Sequence, residues 1–201
     1  MDRAKEYASG IMAESSWFLE FKKYVLLRNE GVDKKEIKRR CIEENLFGMQ
    51  TENRVKRMYG YISKRAELMD DQLVDIFCTS DIATQKLINL ICIIKGDLLY
   101  FEFANEVYRE KASLGFGEIE NADVNAFFRK KESEDNQISK WKDSTLRHIR
   151  SCYLNFMVDA NLLRKEGDKF VITTPIVDIA LERYLQLSGN ENILNAITGV
   201  R

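Results

Sequence analysis

The sequence predicts a mainly α, multi-helical protein with helix-turn-helix-like units and a short β-hairpin wing near the C-terminus. Three observations carry this. The 201-residue chain holds a single proline. Proline is the commonest helix breaker, so long uninterrupted helices are expected. Apolar residues recur at helical spacing, as in Val55, Met58, Tyr59, Ile62, Ala66 and Met69. Near the C-terminus the stripe Leu146, Ile149, Tyr153, Phe156 and Ala160 runs into two strand-like runs, 162–165 and 169–173, joined by Glu166-Gly167-Asp168.

Taken in order, residues 14–29 form an amphipathic helix that ends near Gly31. Asp33 is a good N-cap for a helix over 34–44, with Glu36 placed as in a capping box. Asn45-Leu46-Phe47-Gly48 is a stop signal, and Thr51 caps a helix to about Met69. A short helix is expected over 71–78. Asp81 caps a buried one over 82–94, and Gly96-Asp97 permits a break before a helix over 98–112. The stretch SLGFGEIEN, 113–121, is the best boundary. It suggests an N-terminal helical domain, 1–113, and a winged helix-like domain with C-terminal helices, 119–201. In the second part a helix over 123–131, a polar connection and a helix over 144–160 precede the hairpin. Pro175 suits the first turn of a helix reaching Leu187. A short helix over 191–198 closes the chain.

Charge is sorted along the sequence although the net charge is −1. Residues 22–65 hold 13 Lys/Arg and 6 Asp/Glu, a surplus of +7. Residues 67–138 hold 7 and 15, giving −8, and residues 139–169 hold 7 and 4, giving +3. Two basic segments flanking an acidic one suggest a polyanion partner. Solvated helix faces whose charges neutralise one another are the plainer alternative.

Two helix-turn-helix candidates follow. In the N-terminal pair, Gln50, Thr51, Asn53, Arg54 and Arg57 stand at the start of the second helix, where base and phosphate contacts concentrate. Lys64 extends that basic stripe, and Lys38 and Arg39 of the first helix are placed to hold the backbone. In the C-terminal unit, Lys142, Ser144 and Thr145 open the second helix, where hydroxyls and free N–H groups suit phosphate. Arg147, His148 and Ser151 continue its outer face. Arg147 has a planar fork that can bond two acceptors on guanine. Arg164, Lys165 and Lys169 place the wing against the adjacent backbone. A winged domain used for protein contacts remains the alternative, and Leu154 and Val158 on the outer face favour it.

Signals for chemistry are sparse. His148 is the only histidine. Gly115-Phe116-Gly117 lacks the third glycine of a dinucleotide loop and is read as a linker. Glu102, Glu106 and Glu110 follow i, i+4, i+8 spacing. A solvated acidic face, or a dock for a basic element of the same chain, is favoured there over a two-metal nuclease site. The four cysteines, at 41, 78, 92 and 152, lack metal-ligand spacing and read as reduced, buried thiols. No cofactor or metal is expected, and no catalytic activity. The longest uncharged apolar run, 87–94, is far short of the roughly 20 residues of a membrane span. The N-terminal stretch is too polar for a secretory signal. Both point to a cytoplasmic protein without membrane contact.

The order of an aromatic-rich helix, GVDKKEIKRRCIEENLFGMQTENRVKRMYGYISKRAELM and, far downstream, WKDSTLRHIRSCYLNFMVDANLL with a hairpin resembles the BrxA family. These are small NusB-like accessory proteins of BREX bacteriophage-exclusion systems. The similarity runs from about residue 7 to 187. It implies an all-helical double-stranded-DNA-binding accessory factor without its own catalysis, encoded beside other BREX proteins as candidate partners. A scaffold for protein or RNA stays open, as does homo-oligomerisation.

Overall fold

The computed structural model describes residues 7–199. The first six residues of the polar N-terminal stretch and the last two of the C-terminal segment lie outside the described residues.

A short 3-10 turn, Gly10–Ala13, precedes helix α1, Phe18–Asn29. The predicted start at residue 14 is therefore four residues early. The reason is tertiary: Arg65 Nη1 donates to the Ser16 carbonyl at 2.6 Å and Nη2 to that of Ser15 at 3.1 Å. Asn89 Nδ2 also donates to Ser16 at 3.0 Å. These carbonyls are drawn sideways into the core, and Trp17 takes a left-handed φ of 42° before the helix begins.

Helices α2, Lys34–Glu43, and α3, Glu52–Ala66, begin at the caps the sequence predicts. Asp33 Oδ1 accepts from the N–H groups of Lys35 and Glu36. Thr51 Oγ1 accepts from Arg54. Glu36 does not complete a capping box, because Arg39 and Arg40 take both its oxygens at 2.7–2.9 Å. The turn between the helices is locked by Asn45, at φ 50°, whose side chain both donates to and accepts from the Met49 backbone. The second helix ends at Ala66 rather than Met69. Arg28 Nη1 reaches over from α1 and bonds the carbonyls of both residues.

Helices α4, Asp71–Thr79, and α5, Ile82–Gly96, are capped by Asp70 and Asp81. Asp97 caps α6, Leu98–Phe103, which continues through a π-helical turn, Ala104–Arg109, into α7, Glu110–Ser113. The expected linker then contains a strand, β1, Glu118–Ile119. Two residues are too few to show periodicity, so only pairing reveals this strand. Helix α8 runs Asn121–Glu134 and α9 Asp143–Asp159. Asn161 ends α9 at φ 60°, and the chain turns into β2, Leu163–Glu166, and β3, Lys169–Ile172. The two-residue loop carries Gly167 at φ 60°, the region a tight hairpin requires. The sheet is antiparallel in the order β1-β3-β2, with Glu118 opposite Val171 and Lys165 opposite Phe170.

Helix α10 spans Ile179–Leu187 and α11 Glu191–Thr198. Pro175 is not in the first turn of α10. Asp178 caps it instead, accepting from Ala180 and Leu181. Helix α11 packs on the π-helical turn, α10 on α4, and α9 on the N-terminal 3-10 turn. Buried apolar residues on either side of 113–119 thus belong to one cluster. Tyr153 of α9 lies at its centre, 4.4 Å from Tyr100 and 5.4 Å from Phe103, with its hydroxyl on Asp97 at 3.1 Å. Among the described residues no helix is long and apolar enough to cross a membrane.

Gly199 closes α11 at φ +72°, and a Cβ there would lie 2.6 Å from Cβ of Ala112. Gly199→Ala combines a left-handed penalty with overpacking against α7. We expect a loss of about 2 kcal/mol, read as a lower urea midpoint at unchanged slope.

Candidate functional site

Helix α3 is buried on one side through Val55, Met58, Tyr59 and Ile62. Its opposite side exposes Asn53, Arg54, Arg57 and Lys64. Helix α9 is built the same way: Leu146, Ile149, Tyr153 and Phe156 face the core, and Ser144, Arg147, His148, Ser151 and Asn155 face solvent. What periodicity cannot supply is how the two exposed faces sit relative to each other. Arg57 and the α9 residues His148, Ser151 and Asn155 line one cleft of about 450 Å³, together with the segment from Met12 to Trp17. On its other side α9 borders a second cleft, of about 630 Å³. Arg147, Ser151 and Asn155 line that one with Asn121 and Asn125 of α8 and with Lys165 and Gly167 of the hairpin. Ser151 and Asn155 line both clefts. The outer face of α9 is therefore a ridge, with Arg57 on one flank and Lys165 on the other.

The cations divide into two groups. Arg39 is bound by Glu36, Glu43 and Glu44, at 2.6–3.8 Å. Together with Arg40 it holds the Glu36 carboxyl down to about pH 2. Lys34 pairs with Glu67. In the hairpin, Arg164 pairs with Glu166 and Lys169 with Glu118 on β1, both at 2.7 Å. Arg150 lies over the Phe128 ring and donates to Asn125 at 2.7 Å, which fastens α9 to α8. By contrast, Lys38, Arg54, Arg57, Lys64, Lys142, Arg147 and Lys165 make no ion pair among the described residues. The +7 surplus of 22–65 is thus partly spent inside the protein, most completely at Arg65. That side chain is 3% exposed and bonds Glu14 and Asn89 at 2.9 Å each. Burial pushes its pKa down, and Glu14 opposes the shift.

Of the remaining expected contacts, Gln50 and Thr51 are exposed at the start of α3, outside both clefts. Lys142 and Ser144 are exposed at the start of α9, where Thr145 is half-buried. Lys64 lines a separate cavity of about 350 Å³ beside Tyr61, Leu68 and Asp97. Leu154 does not form an outward apolar stripe: it is buried and lines the hairpin-side cleft with Phe170. Asn155 stands on the outer face that the core stripe of α9 predicts, whereas Asn121 and Asn125 leave no trace in a charge count and show only in the structure.

In the acidic series that runs from α6 through the π-helical turn into α7, Glu102 and Glu106 form an internal dock. Lys131 of α8 inserts its ammonium between Glu102, at 2.7 Å, and Glu106, at 2.6 Å, and Lys130 adds a bond to Glu106 at 3.0 Å. Burial works against the charged form of Lys131, but the two carboxylates outweigh it and its pKa is raised. Burial also raises all four thiols, Cys41 to about 11 and Cys92 to about 12. All four are free cysteines, three of them buried and Cys78 half-buried. Such thiols carry little thiolate and are chemically quiet.

The architecture is that of a small multi-helical protein with a helix–strand–helix–helix–hairpin unit built into a larger helical body. The chain belongs to the BrxA family, whose model matches residues 5–189. It is 31% identical over 199 residues to the "BREX protein BrxA" of Bacillus cereus (strain H3081.97), spanning 99% of this chain and all of that protein. Its fold is shared with a crystal structure of an uncharacterized protein from Magnetospirillum magneticum. The TM-score is 0.81 at 17% identity, covering 97% of this chain and all of the other.

Proposed function

We propose that this chain is a non-catalytic accessory protein of a BREX phage-defence system that binds double-stranded DNA along the α9 ridge. The single observation carrying this reading is the convergence of Arg57, from the N-terminal helix pair, with the outer face of α9, flanked on the far side by Lys165. Two basic units distant in sequence thereby place cations on the two flanks of one exposed helix, beside clefts that Glu14, Asp159 and Asp168 also line. Connectivity supports the reading too. A short strand, two helices and a hairpin, with the second helix exposed, is the order of a winged helix-turn-helix. In such a unit the second helix enters the major groove and the wing follows the backbone. The hydroxyls and amides of Ser144, Ser151 and Asn155 suit phosphate and base edges alike. That Glu102 and Glu106 hold Lys131 supports a structural role for the acidic series rather than a nuclease role.

Gel-shift titration of a duplex at two salt concentrations tests this. If about six phosphates are neutralised, the log–log slope of affinity against salt is near −5. Absence of duplex binding at low salt refutes the reading. Preference for single-stranded or structured RNA of the same length reassigns the surface to RNA.

A further inference from the structure

We propose that the exposed face of α3 is a track for a short single strand of nucleic acid, with Trp17 and Tyr61 as the step on which its bases stack. Arg54, Arg57, Tyr61 and Lys64 follow i, i+3, i+7, i+10 spacing. At 100° and 1.5 Å per residue they share about 80° of the helix circumference over about 15 Å. The three cations are exposed and make no ion pair among the described residues. Glu52 stands off this face and is taken by Lys56. Two hollows adjoin along the face. Arg57 and Trp17 line one, and Tyr61 and Lys64 line the other. The two rings meet between the hollows, with centroids 6.0 Å apart at 36°, and both are half-buried. From Arg54 to Lys64 the order is therefore cation, cation, aromatic pair, cation.

A duplex backbone needs such cations but not the rings. Cations that track phosphates, together with rings that receive bases, are how single strands are held, because an unpaired base offers its face for stacking. Trp17 adds a second observation. Its φ of 42° is left-handed, a costly conformation for a bulky residue. It persists because Arg65 holds the carbonyls of Ser15 and Ser16, and Asn89 the latter as well. Strain of this kind concentrates at ligand-binding positions. Carboxylates also line the hollows: Glu14 in both, Asp97 in one and Asp159 in the other. Glu14 is paired with Arg65, and Asp97 accepts from the Tyr100 N–H and the Tyr153 hydroxyl. Their charge turns phosphates away from the floors of the hollows. Phosphates then follow the α3 cations on the rim and the bases turn inward to the rings, where exocyclic amino groups can donate to those oxygens. Arg57 and Trp17 are shared with the surface assigned to duplex, but Arg54, Tyr61 and Lys64 line neither α9 cleft. The inference therefore stands apart from the duplex reading.

The chain has two tryptophans, so Trp141→Phe leaves Trp17 as the only indole. A non-self-complementary strand of about 12 nucleotides, as DNA and as RNA, and a duplex of the same length are titrated into this chain while Trp17 fluorescence is followed. Saturable quenching by either strand supports the track, and the tighter of the two names the sugar. Tyr61→Leu, which keeps bulk without the ring, should weaken strand binding about tenfold, and Tyr61→Phe should restore it. Arg54→Ala should flatten its salt dependence, and Arg147→Ala should leave it unchanged. No quenching at low salt, equal quenching by the duplex, or indifference to Tyr61→Leu overturns the inference. Loss of strand binding in Arg147→Ala also overturns it, placing the strand on α9. Strand quenching that stands while duplex binding fails supports the track and refutes the α9 reading alone.

Discussion

Arg65→Met should destabilise the fold by about 3–5 kcal/mol, the range for removing one partner of a buried charge pair. The guanidinium is buried in the core and donates to Glu14, Asn89 and the carbonyls of Ser15 and Ser16. Methionine fills much of the volume but leaves the Glu14 carboxylate, the Ser15 carbonyl and the Asn89 side-chain oxygen without this donor, while the Ser16 carbonyl keeps only Asn89. Each group left without a donor must then be desolvated unpaired or pull its segment out toward water. Urea denaturation at unchanged slope measures the loss. The control lies eight positions away on the same helix. Arg57 is exposed and makes no ion pair among the described residues, so Arg57→Met should fall within about 0.5 kcal/mol of wild type. A loss at Arg65 no larger than at Arg57 would refute the assignment of Arg65 as the anchor of the N-terminal segment. Residues 12–17 also line the cleft between α3 and α9. The Arg65 variant should therefore bind duplex more weakly even at temperatures where it remains folded.

Arg57→Ala and Arg147→Ala should each weaken duplex binding by about 1–3 kcal/mol if their forks read bases. If either arginine instead meets a phosphate, binding should fall evenly across sequences and the salt slope should flatten by about 1. The two side chains lie on different clefts, and α9 lies between them. Their effects should therefore add nearly in full in the double variant. Arg39→Ala supplies the contrast. Its guanidinium is already held by Glu36, Glu43 and Glu44, so the change should matter less than either of the others. If Arg39 dominates and Arg57 and Arg147 are silent, the DNA path runs over α2 and not along α9.

The extent of what could be read beforehand follows from the range of the forces involved. Asp33, Thr51, Asp70, Asp81 and Asp97 accept backbone N–H groups two or three residues away, so the helix starts they set are written locally. The Gly167 turn and the α9 stripe are equally local. The misreadings at residues 14–17 and at β1 came from contacts made at a distance, whereas at Pro175 one local signal lost to another. Residues 14–17 carry an acceptable helix start, and Arg65, some 50 positions later, takes their carbonyls. Pro175 satisfies the rule for a first helical turn, and the Asp178 cap prevails. β1 exists because β3 pairs with it.

The site divides along the same line. Which polar residues of α3 and α9 face outward was determined by the sequence alone, because burying one stripe of a helix leaves the opposite stripe in water; Leu154 is the exception among the residues placed outside, covered by the hairpin side of the fold. A charge count, however, weighs every lysine and arginine equally. It ranked residues 22–65 above the C-terminal unit, although Arg65 is core, Arg39 and Arg40 are neutralised on their own helix, and Lys34 is held by Glu67. Only the tertiary structure decided which cations remain available. It also decided that Arg57 and the α9 face share a cleft and that Lys131 sits between Glu102 and Glu106. Periodicity fixes the direction of a side chain about its own helix axis, whereas ion pairs, clefts and uncovered faces depend on how helix axes are placed against one another. That placement is set by the packing of the shared core.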